Sequence, residues 1–317
     1  MKKDKKLKEF KLVVSSGKGG VGKSMLVSAL AVLFSKKKKV VAVDCDVDAP
    51  NLAIWLNEDG NWQNKKKIST SAKAVIDYKK CVNCKLCVQK CRFKAIEIKN
   101  NKPVVNYFLC EGCAACQVIC PQKAIRLKSV KNGEIKTKRT KYGFFLVSGQ
   151  LFPGDIGSGK IITEIKKEAS AFADSAFVAK ATSAKEAASA DKQAGNHIMI
   201  IDSAPGTGCP VIASLQGADF VVLITEPTPS GFSDLNRVLE VVNHFNIPYN
   251  IVINKWDINS DLSRKIEQKF KKEFLGRISY DKNIFKAISN LTPILETNLK
   301  AKEEIKKIYK KLVKNIN

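Results

Sequence analysis

Two sets of residues in this chain have the types and spacing to do chemistry. The first is sulfur. Eight of the ten cysteines form two quartets, Cys81-x2-Cys84-x2-Cys87-x3-Cys91 and Cys110-x2-Cys113-x2-Cys116-x3-Cys120, offset by 29 residues. The flanks repeat as well, Lys94-Ala95-Ile96 against Lys123-Ala124-Ile125. Thiolates are soft donors that take zinc or iron–sulfur clusters. The second is a glycine-rich turn, Ser16-Gly17-Lys18-Gly19-Gly20-Val21-Gly22-Lys23-Ser24. Gly17 and Gly22 fit G-x-x-x-x-G-K-[ST], in which glycines let backbone N–H groups approach phosphate; Lys23 would reach the terminal phosphates and Ser24 would ligate magnesium.

The turn needs a strand before it and a helix after it. Leu12-Val13-Val14 and the helical pattern from Met25 to Phe34 supply both. Val40 to Asp44 reads as a second strand, and it ends in the acidic run Asp44-Cys45-Asp46-Val47-Asp48. His197 to Asp202 is apolar until its terminal acid, which suits a Walker-B carboxylate at the ligand end of a parallel sheet. Phe220 to Thr225 and Tyr249 to Ile253 read as two further buried strands; Tyr142 to Val147 reads as another, and a long helix is expected after Ser158-Gly159-Lys160. The polar stretches Asn57 to Lys73 and Lys128 to Lys141 read as linkers. Ala169 to Ala194, rich in Ala, Lys and Ser, fits either one long helix or an insertion.

The bulk numbers exclude some roles. At 317 residues the chain suits one large α/β domain with an insertion. The formal charge of +25 would suit nucleic acid, but the lysines are dispersed without aromatic interleaving, so nucleic acid is not expected. No apolar run approaches a bilayer span, and the basic start, Met1 to Lys11, breaks into Ser-Ser-Gly-Lys rather than a signal sequence. A cytoplasmic location is expected, where ten cysteines argue for metal rather than disulfides.

Lys18, directly after the first glycine, makes the stretch GKGGVGKS, which resembles the deviant P-loop of the MinD/ParA/Mrp and nitrogenase-iron-protein ATPases. The resemblance implies a homodimer in the ATP state, with Lys18 acting on the partner's nucleotide and Lys23 on its own. It implies that Gly17 to Ser24 cradle ATP, that Ser24, Asp44 and Asp202 hold Mg2+, and that Asp46 orients or deprotonates the attacking water. By the same analogy Asn254 reads the base, although Asn254-Lys255-Trp256-Asp257 also matches the guanine-reading motif of GTPases.

The cysteine spacing resembles a bacterial-type ferredoxin with two [4Fe-4S] clusters, in which the fourth cysteine of each run crosses over. Cluster one would take Cys81, Cys84, Cys87 and Cys120; cluster two would take Cys110, Cys113, Cys116 and Cys91. Two four-cysteine zinc sites remain the alternative. Ferredoxins usually place proline after both fourth cysteines, whereas Arg92 follows Cys91 here.

The expected fold is therefore a doubly wound, mostly parallel P-loop NTPase sheet with an inserted α+β ferredoxin module: residues 1–72 and 133–317 form the ATPase, 73–132 the insert. The leading function is an ATPase coupling a nucleotide-dependent dimer switch to electron transfer, with a redox or iron–sulfur acceptor protein as partner. A metallocofactor-assembly ATPase of Mrp type and a MinD-like membrane-positioning ATPase are the alternatives. The last rests on the amphipathic pattern of Glu303 to Asn317, for which packing onto the sheet is favoured over membrane contact.

Overall fold

Apolar side chains that alternate between two covered faces explain why the central strands read as unbroken hydrophobic runs. The computed structural model describes residues 9–58, 60–155, 157–178 and 197–316. Its strands are β1 (Phe10–Ser15), β2 (Lys39–Asp44), β3 (Asn64–Ile68), β4 (Ser71–Ile76), β5 (Ile96–Lys99), β6 (Lys102–Val105), β7 (Ile125–Val130), β8 (Gly133–Arg139), β9 (Phe145–Leu151), β10 (His197–Asp202), β11 (Phe220–Thr225), β12 (Tyr249–Asn254) and β13 (Phe274–Ile278). Nine of them form one sheet in the order β13-β12-β11-β1-β10-β2-β9-β8-β3. From β13 to β9 every pairing is parallel; β8 runs antiparallel to both β9 and β3.

The helices are α1 (Lys23–Ser35), α2 (Leu52–Trp55), α3 (Leu86–Lys90), α4 (Ala115–Ile119), α5 (Ser158–Val178), α6 (Cys209–Leu215), α7 (Pro229–His244), α8 (Ser260–Lys269), α9 (Lys282–Ser289) and α10 (Lys300–Ile316). On one face, Leu12, Val14, Ile198 and Ile200 pack with Leu26 and Leu30 of α1 and with Ile305 and Leu312 of α10. On the other, Val13, Met199 and Ile201 meet Ile162 of α5, Val211 of α6, Val238 of α7 and Ile266 of α8. The sheet is thus doubly wound, with ligand-binding loops expected at its carboxyl edge. The apolar stripe of α10 lies in this core, where Tyr309 meets Phe34 edge to face at 4.8 Å.

The structure corrects the reading of two stretches as linkers. Residues 64–68 and 133–139 are β3 and β8, paired with each other and, through β9, with the main sheet. They extend it by two antiparallel strands, and Lys138 of β8 forms a buried ion pair with Glu58 at 2.8 Å. Between them the chain leaves the sheet and builds two small antiparallel pairs, β4 with β7 and β5 with β6, over a core of its own that includes Ala74, Ile76, Ala95, Ile96 and Ile125. Of Ala169 to Ala194, the part up to Val178 continues α5, with Ala169 and Ala173 buried; the remainder lies outside the described residues.

Candidate functional site

The turn from β1 into α1 folds as it does because two positions have no room for a side chain. A Cβ on Gly17 would lie 2.2 Å from the carbonyl oxygen of Asp234, and one on Gly22 would lie 2.5 Å from Asn254 Nδ2. Gly22 also has φ +94°, a left-handed conformation open chiefly to glycine, as it starts α1. Neighbouring strand ends hold the turn: Asn254 Nδ2 donates to the Val21 carbonyl at 2.8 Å, Lys255 Nζ to that of Gly20 at 3.4 Å, and the Gly206 N–H to that of Ser16 at 2.9 Å. Gly19 and Gly20 face solvent at the mouth, and Lys23 is buried beneath.

Two acids meet behind the turn, since Asp44 and Asp202 are register partners at the ends of adjacent strands β2 and β10. Asp44 Oδ1 accepts from the Asp46 N–H at 3.1 Å and Oδ2 from the Leu52 N–H at 2.9 Å, so Asp44 also shapes its own loop while keeping spare lone pairs. Asp202 is 0% exposed, and among the described residues neither of its carboxylate oxygens has a hydrogen-bond partner. Burial pushes its pKa up to about 7 against the opposing pull of Ser24 and Lys23; Ser24 is close enough to act on it yet outside hydrogen-bond geometry. Burial and the neighbouring Asp202 raise Asp44 as well. Burial raises Asp46, which Lys23 holds down, while Lys23 itself is lowered by burial against the pull of Asp202, Asp46 and Asp44. Orphaned carboxylate oxygens beside a hydroxyl and a lysine suit a magnesium ion on a phosphate. A cavity of about 520 Å3 adjoins the turn, lined by Gly22, Met25, Trp55, Asn254, Tyr280 and Phe285 among others, with flat apolar walls suited to a base. Asp257 is not part of that lining; its Oδ1 accepts from the Tyr280 N–H at 2.7 Å.

The sulfur residues gather in two separate cavities. One is lined by Cys81, Cys84, Cys87 and Cys120, the other by Cys91, Cys110, Cys113 and Cys116. The last cysteine of each run therefore stands with the first three of the other. The halves repeat in backbone: Lys85 and Ala114 precede α3 and α4 with φ of 62° and 66°, and Cys91 and Cys120 end them with ψ of 101° and 108°. In each half an N–H donates to the crossing sulfur at 3.3 Å, Ala95 to Cys91 and Ala124 to Cys120. Among the described residues no three His, Cys, Asp or Glu side chains converge tightly enough for a single ion. Four thiols around each pocket, with N–H donors to sulfur, fit a cluster whose irons are spread over a cube.

A chain of contacts links the two regions. The Val47 carbonyl, one residue beyond Asp46, accepts from the Leu151 N–H at 2.9 Å. The turn after Leu151 meets the segment that leads into Cys110: Phe108 covers Gly154 so closely that a Cβ there would lie 2.7 Å from the ring, and the Tyr107 hydroxyl donates to Asp155 Oδ1 at 3.2 Å. Lys73, 3% exposed, lies 4.7 Å from the centre of the Tyr107 ring and donates to the Cys110 carbonyl at 2.9 Å.

Sequence reasoning passed over Glu226, Lys73 and the ends of the 151–155 turn. An acid directly after the buried strand Phe220 to Thr225 was a usable signal for Glu226; nothing in a lysine-rich sequence marked Lys73 as buried. Cys45 is fully buried, with burial raising its thiol pKa far out of the reactive range, whereas Cys209 is exposed at the start of α6.

Residues 12–294 match the CobQ/CobB/MinD/ParA nucleotide binding domain family. An uncharacterized protein of Methanocaldococcus jannaschii is 36% identical over 305 residues, which cover 96% of each chain. An iron-sulfur cluster carrier protein of the same organism is 27% identical over 134 residues, 37% of this chain and 46% of the carrier. The septum site-determining protein MinD of Pyrococcus horikoshii, solved with Mg-ADP, superposes with a TM-score of 0.55 at 15% identity, covering 97% of both chains. At that identity the likeness is one of fold.

Proposed function

The chain belongs to the CobQ/CobB/MinD/ParA nucleotide-binding family, and from that premise we propose that it is an ATPase in which a nucleotide-driven dimer switch is coupled to electron transfer through two [4Fe-4S] clusters. Residues 1–72 and 133–317 form the ATPase, and 73–132 form an inserted two-cluster ferredoxin module. The observation that carries this reading is the crossing of the quartets, Cys120 with Cys81, Cys84 and Cys87 and Cys91 with Cys110, Cys113 and Cys116. An x2, x2, x3 run whose fourth cysteine crosses to the other run is the arrangement of a cluster pair; structural zinc sites more usually bring together two short cysteine knuckles.

Gly17 to Ser24 bind the phosphates, Lys23 neutralises charge on the protomer's own nucleotide, and Lys18 acts on the partner's. Ser24, Asp44 and Asp202 would hold magnesium, which would supply charge neutralisation at the phosphates; the two orphaned oxygens of Asp202 fit that role. Asp46, on the loop after β2, orients the attacking water. Asn254 stands beside the base, and adenine is favoured over guanine because Asp257 spends an oxygen on Tyr280 and stands outside the base cavity. The clusters, when bound, supply one-electron storage. The chain's part in coupling is mechanical: a γ-phosphate that draws in the segment from Asp44 to Val47 shifts Leu151 and the turn that carries Phe108 and Tyr107, and linkage makes the effect reciprocal. The expected setting is the cytoplasm, with a redox protein as acceptor.

A second reading, an assembly ATPase that hands clusters on, draws on the 27% identity to an iron-sulfur cluster carrier. Membrane positioning is disfavoured by the burial of Ile305, Ile308 and Leu312 within the core. Anaerobically purified protein, assayed for iron and visible absorbance with and without ATP, tests the proposal. About eight irons per chain that persist through turnover support it. Stoichiometric zinc without colour refutes it, and ATP-driven loss of iron to an apo-acceptor moves the assignment to assembly.

A further inference from the structure

Glu226 follows β11 directly, and its side chain is 11% exposed. Its carboxylate is shared between two lysines: Oε1 accepts from Lys18 Nζ at 3.0 Å and Oε2 from Lys255 Nζ at 3.1 Å. The Lys255 ammonium also donates to the Gly20 carbonyl at 3.4 Å, so one carboxylate closes a ring that leaves the phosphate-binding turn at residue 18 and returns to it at residue 20. The base of the ring is firm. Thr225 Oγ1 donates to the Gly231 carbonyl at 3.0 Å, and a Cβ on Gly231 would lie 2.5 Å from the Glu226 carbonyl oxygen. The two arms differ in exposure, since the side chain of Lys18 is 44% exposed and that of Lys255 is 31% exposed. Lys18 is the arm able to swing away, and Lys255 can stay behind so that the buried carboxylate is never left unpaired.

We propose that Glu226 is a latch in cis: it holds Lys18 on its own protomer, and dimer closure breaks the Lys18–Glu226 pair in both protomers before either lysine serves the partner's nucleotide. The inference rests on the reading that Lys18 acts across the dimer. It adds a reason for the protein to remain monomeric at low nucleotide occupancy, because the charge needed at the interface is neutralised until a phosphate competes for it. A partly exposed ion pair is worth about 1.4–5-fold in an equilibrium. A symmetric dimer breaks two, so the latch shifts dimerisation by about 2–25-fold.

The test is the protein concentration at which the full chain dimerises with a non-hydrolysable ATP analogue, measured by sedimentation. Glu226→Gln keeps the size and hydrogen-bonding capacity of the side chain but removes its charge, and it should lower the midpoint by about 2–25-fold. In a Lys18→Gln background the same substitution should change nothing, an outcome that a merely structural role for Glu226 would not produce. An unchanged or raised midpoint for Glu226→Gln, or an equal shift in the Lys18→Gln background, overturns the latch. Lys18→Ala separates the two claims. If it dimerises and hydrolyses ATP normally, the action of Lys18 in trans is wrong and the latch falls with it. If it is impaired while Glu226→Gln has no effect, only the latch is lost.

Discussion

Tyr78, Lys79 and Lys80 precede Cys81, and Tyr107, Phe108 and Leu109 precede Cys110; both sets are exposed, but the Tyr78 hydroxyl donates within the cysteine module, to the Pro103 carbonyl, whereas Tyr107 and Phe108 reach out to the turn at Gly154 and Asp155. The same contrast appears in charge. The second cavity has Lys73 buried against Cys110, whereas the lysines preceding Cys81 face water. Backbone geometry is shared to within a few degrees at the helix caps, so the difference lies in what each copy touches. A duplicated unit can give one copy to the machine it is joined to and leave the other turned toward a partner. Under the proposed function, the site at Cys110 is the one expected to sense nucleotide, and the site at Cys81 the one expected to meet an acceptor.

The sharpest way to expose that difference is to stop the ATPase in its loaded state. Asp46→Asn should bind nucleotide yet hydrolyse it about 10²–10⁴-fold more slowly, the usual contribution of a residue that handles the attacking water. Redox titration of the trapped protein should show a nucleotide-dependent shift at the Cys110 site alone. Gly154→Val breaks the contact behind the comparison, since its side chain has to displace Phe108 at a φ of +76°. If nucleotide and redox state are coupled by about 1–3 kcal/mol, the corresponding 5–150-fold dependence of ATP-analogue affinity on oxidation state should collapse in this variant. Lys73→Met removes a buried cation that favours the reduced cluster, so the potential at the Cys110 site should fall by roughly 60 mV or less, the equivalent of a tenfold change for one electron. The other site should keep its potential, and a parallel fall at both would erase the asymmetry. Smallest is the effect on iron content: Cys84→Ser and Cys110→Ser should each lose about half the iron. Only the buried Cys110 change should also lower thermal stability.

Much of this was legible in the sequence because the decisive patterns are local. Gly17 to Ser24 lie within one turn, the x2, x2, x3 spacing sets which sulfurs share a pocket, and an apolar run such as Phe220 to Thr225 needs no tertiary information to be read as buried. What escaped is either long-range or uncharacteristic. The Lys18–Glu226 pair joins residues 208 apart, and among so many lysines nothing local marks Lys73 as one of those that are buried. β3 escaped because Asn64-Lys65-Lys66-Lys67 shows no alternation; all four are exposed, so neither face of the strand imposes a hydrophobic period.

That strand has a further consequence. Among the described residues β3 is the last in the sheet order, with one side of its backbone facing no strand of the main sheet, and such an edge is a template on which another chain can add a strand. Three consecutive lysines line it, of which Lys66 reaches Glu168 at 2.7 Å. A second copy approaching edge to edge would bring ammonium groups against ammonium groups within a Debye length, in a chain already carrying +25. The strand that extends the sheet toward the cysteine region therefore also works as its guard rail, keeping nine strands from becoming eighteen.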